Sequence, residues 1–201
     1  MTTTVGISGG SGAGKTTLTR LLASELGDEN VSVLAFDSYY RDQRHLTLEE
    51  RAAVNYDHPD ALDHERFAAD VARLRAGEAI EAPVYDFATH TRTDERRAVA
   101  AKPVVVIEGI LLLTFPEVVE SLDIAIFIDV PEAIRLERRV RRDVAERGRT
   151  AESAATQFAE TVAPMHDAYV EPFRSRANMT VTVDDDLQHV AQDLSRRLQP
   201  S

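Results

Sequence analysis

Residues 4–26 read TVGISGGSGAGKTTLTRLLASEL. The apolar run at the start predicts a strand over residues 4–8, and leucines at helical spacing predict a helix over residues 15–26, which Gly27 can end. The segment between them is rich in glycine and carries no bulky side chain. A strand, a glycine-rich turn and a helix in this order predict the first unit of an α/β fold.

The glycine-rich turn matches G-x-x-x-x-G-K-[ST], the P-loop motif, at every fixed position. Glycines allow successive backbone N–H groups to point at a phosphate, and the helix N-terminus adds its positive dipole end. Lys15 is expected to bind the β and γ phosphates, and the Thr16 hydroxyl to bind Mg²⁺. A merely flexible turn is the alternative, which the flanking strand and helix disfavour. The predicted ATP-binding residues are Gly9, Gly10, Ser11, Gly12, Ala13, Gly14, Lys15, Thr16 and Thr17.

Further apolar runs extend this first unit. They predict strands over residues 31–36, 104–107, 124–128 and 179–183, and helices over 48–54, 63–75 (capped by Asp63), 132–147, 151–162 and 187–198. Several runs are apolar at every residue, as in strands buried on both faces. The pattern predicts an α/β fold: the three-layer sandwich of P-loop NTPases, with a five-stranded parallel sheet and helices on both faces. Ligands then bind at the carboxyl ends of the strands.

Composition restricts the class of protein. The 201 residues fit a single domain over 1–201, with a net charge of −11 that argues against non-specific nucleic-acid binding. The absence of cysteine excludes disulfides and cysteine nucleophiles. No apolar run reaches the ~20 residues needed to cross a bilayer, and the first residues lack a signal-peptide pattern. We therefore expect a cytoplasmic protein that does not bind membranes.

Carboxylates follow two of the predicted strands. Asp37 follows the second strand and Glu108 the third, so both are expected at the sheet edge that holds the phosphates. Phosphoryl transfer needs a group that orients the acceptor hydroxyl and takes its proton, and metal ligands beside the phosphates. We assign Asp37 to the first task and Glu108, with Thr16, to the metal. The alternatives are a turn residue or helix cap for Asp37 and a solvated loop for Glu108, and Asp129 is interpreted as a helix-initiating residue.

Two regions lie outside the predicted sheet. Residues 39–101 are too many for one crossover; they are interpreted as an inserted lid or substrate-binding region, with an irregular or hairpin-like segment over 80–102. Residues 132–149 contain seven arginines and four acidic residues. The arginines either form a lid over the phosphates, spanning about residues 132–160, or a solvated, salt-bridged face that includes Arg135, Arg138, Arg142 and Glu146. Leu136, Val140 and Val144 are expected to serve packing only.

Several blocks make the chain similar to the uridine kinase (uridine–cytidine kinase) family of P-loop kinases. They are the P-loop, FDSYYRD at 36–42, NYDHPDALD at 55–63, PVYDFATHTR at 83–92, IEGIL at 107–111, RRVRRD at 138–143 and ERGR at 146–149. The resemblance implies an enzyme of pyrimidine salvage that uses ATP or GTP, with Mg²⁺, to phosphorylate the 5′-hydroxyl of uridine and cytidine to UMP and CMP. It also implies feedback inhibition by CTP or UTP and a homo-oligomer, a tetramer.

The resemblance also implies roles for individual residues. Asp37 is the catalytic aspartate, assisted by Lys15, Arg142 and Arg147. The implied nucleoside-binding residues, most of them in the insertion, are Asp57, Tyr40, Tyr56, Tyr85, Phe87, His90, Arg139, Arg149 and Gln157. Their chemistry suits a nucleoside, because aromatic rings stack on a pyrimidine and a carboxylate can accept hydrogen bonds from two ribose hydroxyls.

Other interpretations stay open. The hairpin aromatics can be ordinary packing residues, and His90 a surface histidine. A related P-loop kinase, phosphoribulokinase-like or pantothenate kinase-like, would use another hydroxyl acceptor. A non-metabolic nucleotide-binding switch would need no acceptor pocket, although the sequence lacks the Asn-Lys-x-Asp element usual in GTPases.

Overall fold

The fold is built around a central parallel sheet. The structure is a computed structural model that describes residues 2–198. Five strands run in parallel in the sheet, with two further strands forming a separate antiparallel hairpin. The strands are β1 (Thr3–Gly9), β2 (Val31–Ala35), β3 (Ile80–Asp86), β4 (Thr91–Val99), β5 (Val104–Glu108), β6 (Ile124–Asp129) and β7 (Met179–Thr182). The order across the sheet is β2-β5-β1-β6-β7, with β3 and β4 in the hairpin. The predicted five-stranded parallel sheet is confirmed.

The α-helices follow the predicted positions closely. They are α1 (Lys15–Leu26), α2 (Leu48–Ala53), α3 (His64–Arg75), α4 (Pro116–Val119), α5 (Glu132–Arg147), α6 (Ala151–Gln157), α7 (Ala163–Tyr169) and α8 (Leu187–Leu198). A π-helical turn over Phe158–Val162 joins α6 to α7, so the helix predicted over 151–162 continues further than expected. The four-residue α4 was not predicted, because one turn is too short to show a period.

Each face of the sheet carries its own apolar cluster. On β5, Val105 and Ile107 belong to one cluster, and Val104 and Val106 to the other. Alternate side chains of a strand point to opposite faces, which explains why this strand is apolar throughout. One face is covered by α3 and the segment around Phe115, and the opposite face by α1 and α8.

The hairpin and α3 lie within the insertion predicted for residues 39–101. The antiparallel pairing runs from Ile80 opposite Val99 to Asp86 opposite Thr91, which confirms the hairpin-like prediction. Arg97 of β4 also donates a hydrogen bond to the Val33 carbonyl of β2, at 3.1 Å. Apolar side chains of α3 and β3 pack in the same cluster as the strands. The insertion is therefore built onto the main core.

Helix α5 differs from its predicted packing. Arg135, Arg139 and Asp143 are buried, whereas the Val144 side chain is 45% exposed and the predicted packing role for it is wrong. Leu136 and Val140 are only half-buried. The inward face of α5 packs against the glycine-rich turn rather than against the apolar sheet, which explains why its buried residues are charged. The alternative of a solvated arginine face is therefore wrong for Arg135, while Arg138 and Glu146 are exposed.

Two predicted boundary residues have other contacts. The Asp63 side chain makes no capping hydrogen bond to α3, and pairs instead with Arg92 at 3.1 Å. Asp129 ends β6 and pairs with Arg174 at 2.8 Å, while α5 begins at Glu132, so Asp129 does not initiate it. In both cases the carboxylate pairs with an arginine distant in sequence instead of capping the nearby helix.

Candidate functional site

The P-loop turn depends on glycine for two separate reasons. Gly9 and Gly12 have φ values of +142° and +84°, which side-chain-bearing residues rarely adopt. A Cβ on Gly12 would lie 2.3 Å from the Arg135 carbonyl oxygen, and one on Gly9 would lie 2.5 Å from the Ile128 carbonyl oxygen. The turn therefore packs closely against β6 and α5, which fixes its backbone beside the sheet.

Lys15 and Thr16 begin α1 directly after this turn. The Lys15 ammonium donates hydrogen bonds to the carbonyls of Gly9 and Gly10, at 3.0 and 3.1 Å. Burial lowers the pKa of Lys15, and the carboxylates of Glu108 and Asp37 oppose that shift. The charge thus stands close to the backbone that would hold phosphate.

A hydroxyl and a carboxylate lie beside Lys15. The Thr16 hydroxyl donates to the Glu108 carboxylate, with its oxygen 3.1 and 3.3 Å from the two carboxylate oxygens. Burial raises the pKa of Glu108, and the charge of Lys15 opposes it. Such hard oxygens fit Mg²⁺, which usually takes one or two protein ligands and completes its shell with water and phosphate oxygens. Within residues 2–198 no cluster of three or more acidic or histidine side chains could hold a metal alone.

One cavity of about 1060 Å³ joins most of the predicted site residues. Its walls come from α1, the ends of β2 and β5, the insertion and the arginine-rich helix. The predicted residues on its surface are Ser11, Gly12, Gly14, Lys15, Thr16, Thr17, Asp37, Tyr40, Tyr56, Asp57, Tyr85, Phe87, His90, Glu108, Arg139, Arg142, Arg147, Arg149 and Gln157. Gly9, Gly10 and Ala13 belong to the turn but do not line this cavity.

Asp37 lies in a single 3₁₀ turn, Phe36–Tyr39, that follows β2. Phe36 is fully buried and anchors the turn, and Gly109 allows this because a Cβ there would lie 2.6 Å from the Phe36 Cβ. Burial raises the pKa of Asp37, while the positive charges of Lys15 and Arg147 oppose the shift. The carboxylate thus shares the cavity with the residues that start α1.

Aromatic side chains form the part of the cavity near the hairpin. Tyr40 packs against Tyr56 and Tyr85, with ring centroids 5.2 and 5.1 Å apart, and His90 stacks on Tyr56 at 5.4 Å. The Tyr85 hydroxyl is buried, and burial together with the neighbouring Tyr56 raises the pKa of Tyr85. His90 has a φ of +52°, the only positive value at a non-glycine position in residues 2–198. Phe87 stands at the rim, 47% exposed.

Polar residues connect this aromatic region with the P-loop. Burial raises the pKa of Asp57, and the nearby positive charge of Arg139 opposes the shift. Arg139 donates to the Ser11 hydroxyl at 2.7 Å and to the Gln157 amide oxygen at 3.0 Å. The same amide oxygen accepts from Arg149. The structure therefore brings these predicted residues together, and their individual roles stay predictions.

No role was predicted for Asp143, which lies at the centre of the arginines of residues 132–149. Its side chain is fully buried, and four arginines surround it. Arg142 approaches one carboxylate oxygen with two nitrogens, at 3.0 and 2.8 Å. The spacing could have indicated this contact, since Asp143 follows Arg139 by about one helical turn and lies on the same helix face.

Cavity residues near the start of α1 were also missed. Arg20, Arg138 and Leu187 line the cavity beside the P-loop, and Arg138 donates to the Ala13 carbonyl at 3.3 Å. Leu187 begins α8, where the sequence pattern gives no sign of a ligand contact.

The chain is similar in sequence to a known protein family and to several known relatives. The profile of the "Phosphoribulokinase / Uridine kinase family" matches residues 4–188. A uridine kinase of Shewanella pealeana is 44% identical over 181 residues, covering 88% of this chain and 86% of that protein. A uridine kinase of Proteus mirabilis is 46% identical over 183 residues, covering 89% and 86%.

Solved structures show the same fold. A protein of Silicibacter sp. TM1040, described as a fructose transport system kinase, has a TM-score of 0.75 at 26% identity, covering 89% of each chain. Phosphoribulokinase from Rhodobacter spheroides has a TM-score of 0.67 at 13% identity, covering 92% of this chain and 72% of that one. No helix within residues 2–198 is long and apolar enough to cross a membrane.

Proposed function

The chain belongs to the phosphoribulokinase/uridine kinase family, and we propose that it transfers the γ-phosphoryl group of ATP or GTP to the 5′-hydroxyl of uridine and cytidine. The observation that carries this proposal is the single cavity shared by the P-loop, Asp37 and an aromatic pocket. A donor and an acceptor can meet there with a carboxylate between them.

The donor side rests on general P-loop chemistry. The backbone N–H groups of the turn and the Lys15 ammonium bind the phosphates, and Thr16 and Glu108 would hold Mg²⁺. When bound, Mg²⁺ neutralises charge on the phosphate oxygens. Arg142 and Arg147 face the same cavity and stabilise the charge that develops on the transferring group.

The acceptor side explains the choice of a nucleoside. Asp57 accepts hydrogen bonds from the ribose 2′ and 3′ hydroxyls, with Arg139 and Gln157 beside it. Tyr40, Tyr56 and Tyr85 supply ring faces and edges for the base, and His90 reads its polar edge. An imidazole can donate or accept depending on its tautomer, which suits both uracil and cytosine.

Asp37 performs the proton transfer in this proposal. It orients the 5′-hydroxyl toward the γ-phosphorus and takes its proton as the new P–O bond forms and ADP leaves. The raised pKa makes the carboxylate a better base than an exposed aspartate, provided that it is ionised at the working pH.

The test is a panel of acceptors with ATP, measured as ADP release. We expect turnover with uridine and cytidine, and background release with water, pantothenate or ribulose 5-phosphate. Turnover with one of the latter two acceptors would instead identify a related kinase, and equal release without any acceptor would indicate a nucleotide switch. The same assay with GTP, and with CTP or UTP added, tests the donor range and the predicted feedback inhibition. Light scattering tests the predicted tetramer.

A further inference from the structure

Asp143 is a buried carboxylate among positive charges. Its side chain is 0% exposed, and the nearest nitrogens of Arg142, Arg149, Arg139 and Arg147 lie 2.8, 3.4, 3.6 and 3.7 Å from its oxygens. The partners are only partly covered, with side-chain exposures of 33% for Arg142 and 36% for Arg147. Each of these arginines also lines the large cavity. One negative charge thus collects four positive charges beside the P-loop.

The contacts orient the arginines as well as neutralise them. Arg142 makes two hydrogen bonds to one Asp143 oxygen, which fixes the plane of its guanidinium. The Asp143 backbone carbonyl accepts from the N–H groups of Gly148 and Arg149, which turns the chain back after α5. Arg149 and Arg139 then meet at the Gln157 amide oxygen, and Arg139 continues to Ser11 of the P-loop. The network is continuous from the phosphate turn to the end of α5.

Without the Asp143 carboxylate, this arrangement of four arginines would be electrostatically unfavourable. Four guanidinium groups within a few ångströms repel one another, and burial makes that repulsion stronger than in water. A polyphosphate in the cavity would offset the repulsion, but not in the interval between the release of one nucleotide and the binding of the next. A residue that supplies a permanent negative charge can keep the arginines in place during that interval.

We propose that Asp143 is a positioning residue that holds Arg142 and Arg147 in their catalytic orientation and stands in for phosphate charge when the cavity has no nucleotide. The inference deepens the proposed kinase function and rests on it. Asp143 touches no substrate; it acts through the arginines, so its removal changes both the rate of transfer and the affinity of the cavity for anions.

The test is Asp143→Asn, which keeps the size of the side chain and removes its charge. We expect kcat to fall by about 10- to 100-fold, because the arginines lose their fixed orientation. We also expect the Kd for inorganic phosphate, measured by calorimetry, to fall by about fivefold or more, because freed arginines bind the ion. A residue with a merely structural role would lower Tm and leave phosphate affinity unchanged or weaker.

The matched control is Glu137→Gln, which removes a carboxylate from an exposed ion pair with Arg141 on the same helix, at 2.8 Å. We expect wild-type kcat and wild-type phosphate affinity for this variant. If Asp143→Asn does not fold, the double variant R142Q/D143N removes one charge of each sign. Tighter phosphate binding by this variant than by Arg142→Gln supports the inference, and equal binding overturns it.

The outcomes separate this inference from the proposed function. Phosphate affinity in Asp143→Asn equal to the wild-type value, or an unchanged kcat, would overturn the role of Asp143. The phosphate measurement needs no acceptor, so a wild-type protein that fails to phosphorylate nucleosides would count against the proposed function alone.

Discussion

Asp37 lies partly buried in the cavity wall, and in the proposed reaction its carboxylate must be charged in order to accept a proton. Burial raises its pKa, and Lys15, Arg147 and Arg142 hold the shift back. The charge on Asp37 therefore depends on the balance between its burial and the positive side chains beside it.

Replacement of Asp37 by asparagine should reduce kcat by about 10²- to 10⁴-fold, since the hydroxyl loses its proton acceptor. ATP binding should remain near the wild-type value, because the P-loop is untouched. Steady-state kinetics and calorimetric titration with ATP check both expectations. A variant that keeps wild-type kcat would exclude Asp37 as the base.

The same variant should be more stable than the wild type at neutral pH. A carboxyl group whose folded pKa is raised disfavours folding when it is ionised, and this penalty vanishes below the unfolded pKa. The Tm of Asp37→Asn should therefore exceed that of the wild type above the folded pKa of Asp37. The difference should shrink as the pH falls toward about 4. Calorimetric scans across this range measure it, and a gain that grows on acidification would contradict the assignment.

His90 tests the nucleoside pocket at the level of a single ring. His90→Ala should raise the KM for uridine severalfold and change the KM for ATP little, because the stacked ring and its polar edge lie on the acceptor side. His45→Ala, at an exposed position, is the control and should change neither value. Equal increases in both KM values would show that His90 does not select the nucleoside.

At the scale of elements, α2 and the segment after it hold the turn of the hairpin. The Arg51 guanidinium donates to the Thr89 carbonyl at 3.3 Å and to the Gln43 and Leu46 carbonyls at 2.9 and 3.0 Å. The Tyr56 hydroxyl lies 3.2 Å from the His90 carbonyl oxygen and 3.0 Å from that of Arg51. These contacts support the positive φ of His90, which costs about 1–3 kcal/mol outside glycine.

Tyr56→Phe should therefore loosen the hairpin turn while keeping the aromatic face. We expect the KM for uridine to rise about three- to tenfold, which corresponds to roughly one lost hydrogen bond, with kcat nearly unchanged. Kinetics with uridine varied at saturating ATP measures this change. An unchanged KM would mean that the ring alone matters and that the hydroxyl contacts do not position His90.

The helices and strands show how far the sequence can predict. Helix α1 spans its predicted residues and α8 begins at the predicted Leu187, because their apolar faces meet an apolar sheet. The packing of α5 could not be predicted, because its buried face is charged and its apolar residues are half-exposed. Periodicity identifies the face that avoids water only when that face is apolar.

The functional residues also differ in how far the sequence can predict them. Lys15 and Thr16 followed from local sequence, because a P-loop is one contiguous turn. Asp143 and Arg51 were not recognised, since their importance depends on partners that the fold brings together. Arg51 contacts Thr89 at a distance of 38 positions in the sequence. No local pattern records such a contact.

For the whole molecule, ligands on both sides of the cavity should stabilise the fold, because its walls come from the sheet, the insertion and α5. At ligand concentrations about 100-fold above Kd, each ligand should contribute about 2.7 kcal/mol, which raises Tm by roughly 5–10 °C for a chain of this size. Thermal scans with a nonhydrolysable ATP analogue, with uridine, and with both measure the effect. The absence of any shift with uridine would contradict the acceptor pocket.

The strand order leaves β2 and β7 at the two margins of the sheet, and both are short. A margin with free backbone groups invites another chain to add a strand, which is a route to aggregation. The Arg97 contact with the Val33 carbonyl occupies one of those groups on β2. The hairpin that carries Tyr85 therefore also contacts this margin of the sheet, so loss of the hairpin would leave the Val33 carbonyl without its Arg97 partner.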